Sequence, residues 1–318
     1  MRDNETAAVV CGAGSWLPPR RVTNADLAGY LDTSDEWIVS RTGIHRRHVV
    51  DAGTSTGDLA VEAGREALKS AGDTQVDAVV LATTTPDRLC PATAPEVATR
   101  LGLTGVAAYD VSAVCTGFVY ALASATGLIA AGVAERVLVI GAEAFTTILN
   151  PRDRTTVPIF ADGAGALAVA GDGAGPSIVA HRTLFRPEHL DAMGFEYPGG
   201  RPRVILSKDV RRIGAGMMGE MAAILMATQG LKREDIAHWV LHSAGRRVID
   251  RACALLELSE AQVGHSRTVL RHYGNMSSAT ILFVLHETLR HEAPIPGDWG
   301  VMIALGPGFA AEGALLRW

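Results

Sequence analysis

Ala78-Val79-Val80-Leu81-Ala82 and His238-Trp239-Val240-Leu241-His242 are the two stretches on which the fold turns. Each is a short apolar run of the kind that fills a buried strand. Thirty-three positions beyond Ala82 lies Cys115, and thirty-three beyond His242 lies Asn275. Each unit is read as strand, helix, strand, sharp turn and helix. The turn segments are 109–115 ahead of a helix over 116–131, and 269–275 ahead of a helix over 277–289. Each unit closes on a Gly-rich turn and a last strand, Asp162-Gly163-Ala164-Gly165 and Gly306-Pro307-Gly308-Phe309. Further strands are expected at 7–11, 107–111, 137–140, 167–170, 301–305 and 314–317. Further helices are expected at 58–71, 94–100, 217–228 and 248–256. The alternation predicts an α/β fold built by duplication. An N-terminal half, residues 1–170, carries the cysteine. A C-terminal half, residues 171–318, carries the histidine and asparagine. The seam is expected within 157–175, and the Pro/Gly-rich stretch 184–203 reads as an excursion or site cover.

Composition narrows the function. The chain has 318 residues, 48% of them hydrophobic, and a net charge of −5. That suffices for a large core and supplies no basic field for nucleic acid or an anionic membrane. Four scattered cysteines form no CxxC pair, which argues against a disulfide framework or zinc site and for a reducing compartment. The first residues do not resemble a signal peptide, and no apolar run reaches 18 residues. A cytoplasmic protein is expected.

Three residues could carry chemistry. Cys115 stands between an apolar strand and an Ala-rich helix, where the helix dipole should favour a thiolate and a backbone N–H could hold an oxyanion. His242 ends a strand, where α/β sheets place their sites. Asn275 is by itself a good helix cap. Duplication brings all three to one cleft, and a Cys–His–Asn set without a nearby carboxylate suits acyl transfer better than hydrolysis. Gly12-Ala13-Gly14 is read as a turn, His45-Arg46-Arg47-His48 as a solvated basic stretch, and His265 and His272 lack ligand spacing. No metal site is expected.

The sequence resembles the β-ketoacyl-acyl-carrier-protein synthase III enzymes of the thiolase superfamily along essentially its whole length. The resemblance rests on 12–18 with Asn24-Ala25-Asp26-Leu27, on Thr33-Ser34-Asp35-Glu36-Trp37-Ile38-Val39-Ser40-Arg41-Thr42-Gly43-Ile44, on 110–118, and on Phe160-Ala161-Asp162-Gly163-Ala164-Gly165-Ala166. It implies a thiolase-like duplicated five-layer αβαβα fold and a homodimer. Cys115 would be the acyl-accepting nucleophile, and His242 and Asn275 would bind the malonyl thioester carbonyl. Trp37 and Arg154 would sandwich the adenine of coenzyme A, Arg41 would meet its phosphates, and Arg247 would stand near a carrier-protein surface. The expected substrates are acyl-CoA and a malonyl thioester on coenzyme A or acyl carrier protein; coenzyme A enters as a substrate thioester and no prosthetic group is implied.

Departures from that pattern are informative. The usual His-Gln-Ala-Asn is here His242-Ser243-Ala244-Gly245. The stretches 273–279 and 305–309 look more like type III polyketide synthases. Pro307 has no N–H to give an oxyanion, which leaves Gly306 or Gly308 as the second donor. Cys90 replaces a bulky residue that in the family reaches into the partner's acyl tunnel, which implies a roomier pocket. Decarboxylative condensation in specialised, polyketide-type metabolism is the expected function. Two alternatives remain open at this point: transfer of the Cys-bound acyl group to an alcohol or amine, and a non-catalytic subunit of a ketosynthase complex.

Overall fold

The computed structural model describes residues 8–72, 75–198 and 202–318. Ala7, the first residue of the expected opening strand, and residues 199–201 of the irregular stretch lie outside them. Thirteen strands are named among the described residues. They are β1 (Ala8–Trp16), β2 (Arg21–Thr23), β3 (Arg46–His48), β4 (Ala78–Ala82), β5 (Ala107–Val111), β6 (Arg136–Glu143) and β7 (Gly163–Ala170), followed by β8 (Ser177–Phe185), β9 (Met193–Glu196), β10 (Arg203–Leu206), β11 (Ile236–Leu241), β12 (Trp299–Gly306) and β13 (Ala310–Arg317). The helices are α1 (Asn24–Ala28), α2 (Asp35–Thr42), α3 (Thr56–Ala71), α4 (Thr93–Arg100), α5 (Gly117–Ala130), α6 (Val210–Ala227), α7 (Arg246–Leu256), α8 (Gly264–Tyr273) and α9 (Thr280–His291).

Nine strands form one continuous sheet in the order β11-β12-β13-β8-β1-β7-β6-β4-β5. Its two flanks are joined by the short pairing of β1 with β8, at Ala8–Ile178 and Val9–Ser177. Three apolar cores separate the layers. Val79 and Leu81 of β4 face α3 and α4 in one outer core. Val301 and Ile303 of β12 face α6 and α7 in the other. The opposite faces, Val80 and Ala82 with Val240 and Met302, enclose α5 and α9 in a central core. Strands buried on both faces must read as unbroken apolar runs, which is why β4 and β11 were legible. The result is the expected five-layer αβαβα arrangement.

The motif at 162–166 has a packing explanation. A Cβ on Gly165 would lie 2.6 Å from Cβ of Leu282 in α9, and one on Gly163 would lie 2.6 Å from the sulfur of Met276. Small residues here let the central helix layer seat against β7.

Several local expectations are corrected. Gly12-Ala13-Gly14 lies within β1 rather than in a turn, with α3 packed directly on it. The basic stretch is not solvated: Arg47 and His48 are buried. The Arg47 guanidinium donates to Val22 O and Pro158 O at 3.2 and 2.9 Å, and burial pushes it down to about 10. Residues 269–273 belong to helix α8 instead of a strand; only Asn275 keeps an isolated bridge, to Phe160.

Candidate active site

Two turns of the same design meet in the central layer. In each, a non-glycine residue with φ of 49° opens a single 3-10 turn that runs straight into a central helix. Val114 opens Val114–Thr116 ahead of α5, and Ser277 opens Ser277–Ala279 ahead of α9. A left-handed β-branched or polar residue costs about 1–3 kcal/mol and persists only where its surroundings hold it. The internal correspondence is therefore Val114 with Ser277 and Cys115 with Ser278. Asn275 lies just before its turn rather than at the position equivalent to Cys115, which corrects the match drawn from equal spacing.

Cys115 and Asn275 nevertheless open onto one cavity of about 540 Å³. The side-chain oxygen of Asn275 accepts from Ser277 N–H at 2.9 Å and from the Thr280 hydroxyl at 3.3 Å. With the oxygen so engaged, the amide NH2 is the group left for the cavity. His242 follows directly on β11, its backbone N–H donates to Ile303 O at 2.9 Å, and it is fully buried. It does not line the cavity itself; Ala244 and Gly245, just beyond it, do. Among the described residues neither of its ring nitrogens has a protein partner, a costly arrangement for a group with no polar task. Leu305, Pro307 and Phe309 form the opposite wall. The Phe309 N–H is engaged by Arg186 O, so it is not the missing oxyanion donor.

The expected nucleotide contacts gather at the mouth. Ser34 caps α2 by accepting from Trp37 N–H at 3.2 Å. One helical turn then sets the Arg41 guanidinium 4.5 Å from the centre of the Trp37 ring. Arg154 also lies over that ring, at 5.6 Å, and is tied to Asp32. Trp37, Arg41 and Arg247 line the cavity; Arg154 does not, and reaches it only through its contact with the Trp37 ring.

Burial dominates the electrostatics. The Cys115 thiol is pushed up to about 12 by desolvation, with a nearby carboxylate, Glu143, adding to the rise and Ser277 opposing it. This reverses the expected effect of the helix dipole. Desolvation outweighs what the helix N-terminus could contribute, and a 3-10 turn also stands between Cys115 and α5, with the Gly117 N–H already engaged by Val114 O. Burial also holds His242 down to about 4, so its ring is neutral at physiological pH with one N–H to donate.

With this geometry in view, the comparisons are informative. A family model described as 3-oxoacyl-[acyl-carrier-protein (ACP)] synthase III matches residues 109–184, and one described as the C-terminal domain of chalcone and stilbene synthases matches 203–318. A β-ketoacyl-[acyl-carrier-protein] synthase III from Streptomyces coelicolor is 43% identical, covering 98% of this chain and 97% of the relative. The chain belongs to the β-ketoacyl-acyl-carrier-protein synthase III family. The crystal structure of a synthase III from Pseudomonas aeruginosa superposes with a TM-score of 0.91 at 38% identity, over 99% of this chain and 98% of that one. The priming β-ketosynthase of the R1128 polyketide pathway superposes at 0.89 with 29% identity, over 100% and 98%. The synthase III match around Cys115 and the chalcone-synthase match around Asn275 agree with the mixed character read from the sequence.

Sequence reasoning missed much of the cavity wall. The β9–β10 hairpin supplies Met193, Phe195, Val204 and Leu206, and Phe145 stacks on Phe160 at 4.3 Å and tilts against Phe195 at 5.9 Å. Lys208 and Arg211 add charge near the hairpin; the run Lys208-Asp209-Val210-Arg211-Arg212 was the available signal. Glu143 was missed too, although a carboxylate ending the apolar run 137–142 is conspicuous. If burial governs the thiol, alkylation of Cys115 by iodoacetamide in the substrate-free enzyme should rise about tenfold per pH unit from 7 to 9. Intact-protein mass spectrometry of timed samples reads this directly, and a plateau below pH 8 would show a thiolate stabilised instead.

Proposed function

We propose that this chain is a condensing acyltransferase in which Cys115 takes an acyl group from acyl-CoA and joins it, with loss of carbon dioxide, to a malonyl thioester. The observation that carries the reading is the opening of Cys115 and Asn275 onto one cavity whose mouth holds the Trp37–Arg41 pair. Family membership supports the reaction class, since the relatives are named for β-ketoacyl synthesis on acyl carrier protein.

In the first half-reaction Cys115 sulfur attacks the acyl-CoA carbonyl, the C–S bond to coenzyme A breaks, and coenzyme A leaves as its thiol with the cysteine proton. In the second, the malonyl thioester carbonyl accepts hydrogen bonds from the Asn275 amide and the neutral His242 ring. These strengthen as decarboxylation moves charge onto that oxygen. A neutral imidazole keeps one N–H to donate without placing a cation in a buried site. The carbanion carbon then attacks the Cys115 thioester, and the β-keto thioester leaves. These steps use coenzyme A only as a substrate handle and call for no prosthetic group.

The finer assignments follow the same reading. Trp37 and Arg154 would hold the adenine between ring and guanidinium, with Arg41 toward the phosphates; the Trp37–Arg154 pair must open to admit it. Arg247 would meet the phosphopantetheine carrier. The chain would divide near residue 170 into two thiolase-like halves, residues 1–170 and 171–318. The strand β5 at the end of the sheet leaves an edge open to a second copy, which fits a homodimer. Cys90, exposed beside the almost fully exposed Leu89, would then face the partner's acyl tunnel. The small side chain there and the chalcone-synthase-like C-terminal half support specialised polyketide metabolism. Among the described residues no helix is long and apolar enough to cross a membrane, consistent with a cytoplasmic enzyme.

Three variants in one assay panel test the roles. Cys115→Ala should give no acyl adduct with any acyl-CoA. Asn275→Ala should acylate within about threefold of native yet release carbon dioxide about a hundredfold more slowly, the loss typical of one oxyanion donor. Arg154→Ala should raise KM for acyl-CoA about fivefold with kcat unchanged. Loss of acylation in Asn275→Ala would refute the division of labour. Ester formation without carbon dioxide release would favour transfer to an alcohol.

A further inference from the structure

Glu143 is a buried ionisable group beside the two turns that the reaction above does not use. It ends β6 and is fully buried. Its carboxylate accepts four hydrogen bonds from two other segments. Thr84 N–H and the Thr85 hydroxyl reach one oxygen at 3.0 and 3.3 Å; the Thr84 and Ser278 hydroxyls reach the other at 3.1 and 2.8 Å. Ser278 belongs to the strained 3-10 turn whose first residue, Ser277, donates its N–H to the Asn275 side-chain oxygen at 2.9 Å. One hydrogen bond and one peptide unit thus separate Glu143 from the group that aims the Asn275 amide. The backbone and hydroxyl bonds of the Cys115 turn run within it, from Thr116 to Ala113 O and from Gly117 to Val114 O.

We propose that Glu143 is a positioning residue for the condensation half-reaction, and that its ionised form holds the Ser277–Ser278 turn so that the Asn275 amide points at the malonyl thioester. The inference rests on the condensing reading. Its physical basis is the acceptor count. A carboxylate accepts all four donors, whereas a protonated carboxyl turns one oxygen into a donor facing other donors. The Ser278 hydroxyl has a second acceptor to turn to, Ala82 O at 3.3 Å, and the Thr85 hydroxyl lies 2.9 Å from that of Thr56, whereas the Thr84 N–H and hydroxyl are both aimed at the carboxylate.

The ionisation falls in an accessible range. Burial raises the carboxyl to about 7 against the lowering effect of Ser278, Thr84 and Ser277. The titratable group facing it is Cys115 on the neighbouring turn, whose thiol it helps to raise; the other groups packed on it are uncharged hydroxyls and amides. Once Cys115 carries an acyl group it no longer titrates, and His242 titrates only near 4. Carbon dioxide release by the acyl-enzyme therefore isolates Glu143. Release should be fast above pH 7, where the carboxylate forms, and should fall as pH drops through 7.

The experiment is a single-turnover chase of pre-acylated enzyme with malonyl-CoA, following carbon dioxide from pH 5.5 to 8.5 (about three units spanning the midpoint). Native enzyme should show a midpoint near 7. Glu143→Gln keeps the shape but presents an NH2 toward the Thr84 and Ser278 donors. It should acylate within about twofold of native, release carbon dioxide about tenfold more slowly, and lose the rise through pH 7. Thr84→Val removes one donor to the carboxylate, so its midpoint should move to higher pH; it serves even where Glu143→Gln fails to fold. A native rise retained in Glu143→Gln, or an unmoved midpoint in Thr84→Val, would overturn the inference. Absence of carbon dioxide release from the native enzyme would instead overturn the condensing reading, and this inference with it.

Discussion

The contact between two strained turns in the central layer is the constraint on which the rest depends. The turns at Val114 and Ser277 adopt a left-handed opening residue that the chain would not choose in isolation. They are held by the packing of α5 and α9 between the two flanks of the sheet. That packing requires glycine at positions 163 and 165, because any side chain there would strike Met276 or Leu282. The placement of the candidate nucleophile and of the candidate enolate-binding amide is thus a by-product of closing the core.

The same burial sets the chemistry. Three ionisable groups near the turns are all displaced toward their neutral forms: Cys115 up to about 12, Glu143 up to about 7 and His242 down to about 4. A site with so little tolerance for charge would help to shield a thioester formed there from hydrolysis. It also makes two or three well-aimed N–H groups worth more than they would be in solvent. The cavity wall is built to match, with Phe145 packed against both Phe160 and Phe195.

How much of this was legible in the sequence depended on the physical signal each part leaves. The doubly buried strand β4 is an unbroken apolar run, β11 ends in the apolar run Trp239-Val240-Leu241, and both were read within two or three residues. Strand β8 was not read, since Ser177–Phe185 is only partly buried and carries His181 and Arg182. The β9–β10 hairpin hid inside a Pro/Gly-rich stretch that announced only irregularity. Cys115 and Asn275, singled out in the sequence, do open onto one cavity, and His242 is buried without lining it; the exact correspondence between the turns was not legible. Equal spacing cannot tell that α8 replaces a strand and that the repeat slips, so that Ser278 matches Cys115. Arg47 was taken for solvated because its two carbonyl partners, Val22 and Pro158, come from distant segments. The direction of the Cys115 shift was also invisible, because a dipole can be inferred from a helix but desolvation requires the completed core.

The central claim is that the acyl group on Cys115 is consumed by the carbanion that decarboxylation creates. The most direct measurement loads the enzyme with one acyl group, removes free acyl-CoA, adds malonyl-CoA, and follows acyl-Cys115 and carbon dioxide in the same quenched samples. The expected result is loss of the acyl adduct and appearance of carbon dioxide in equal amounts, with a β-keto thioester as product. Loss of the adduct without carbon dioxide, or carbon dioxide released while the adduct persists, would contradict it.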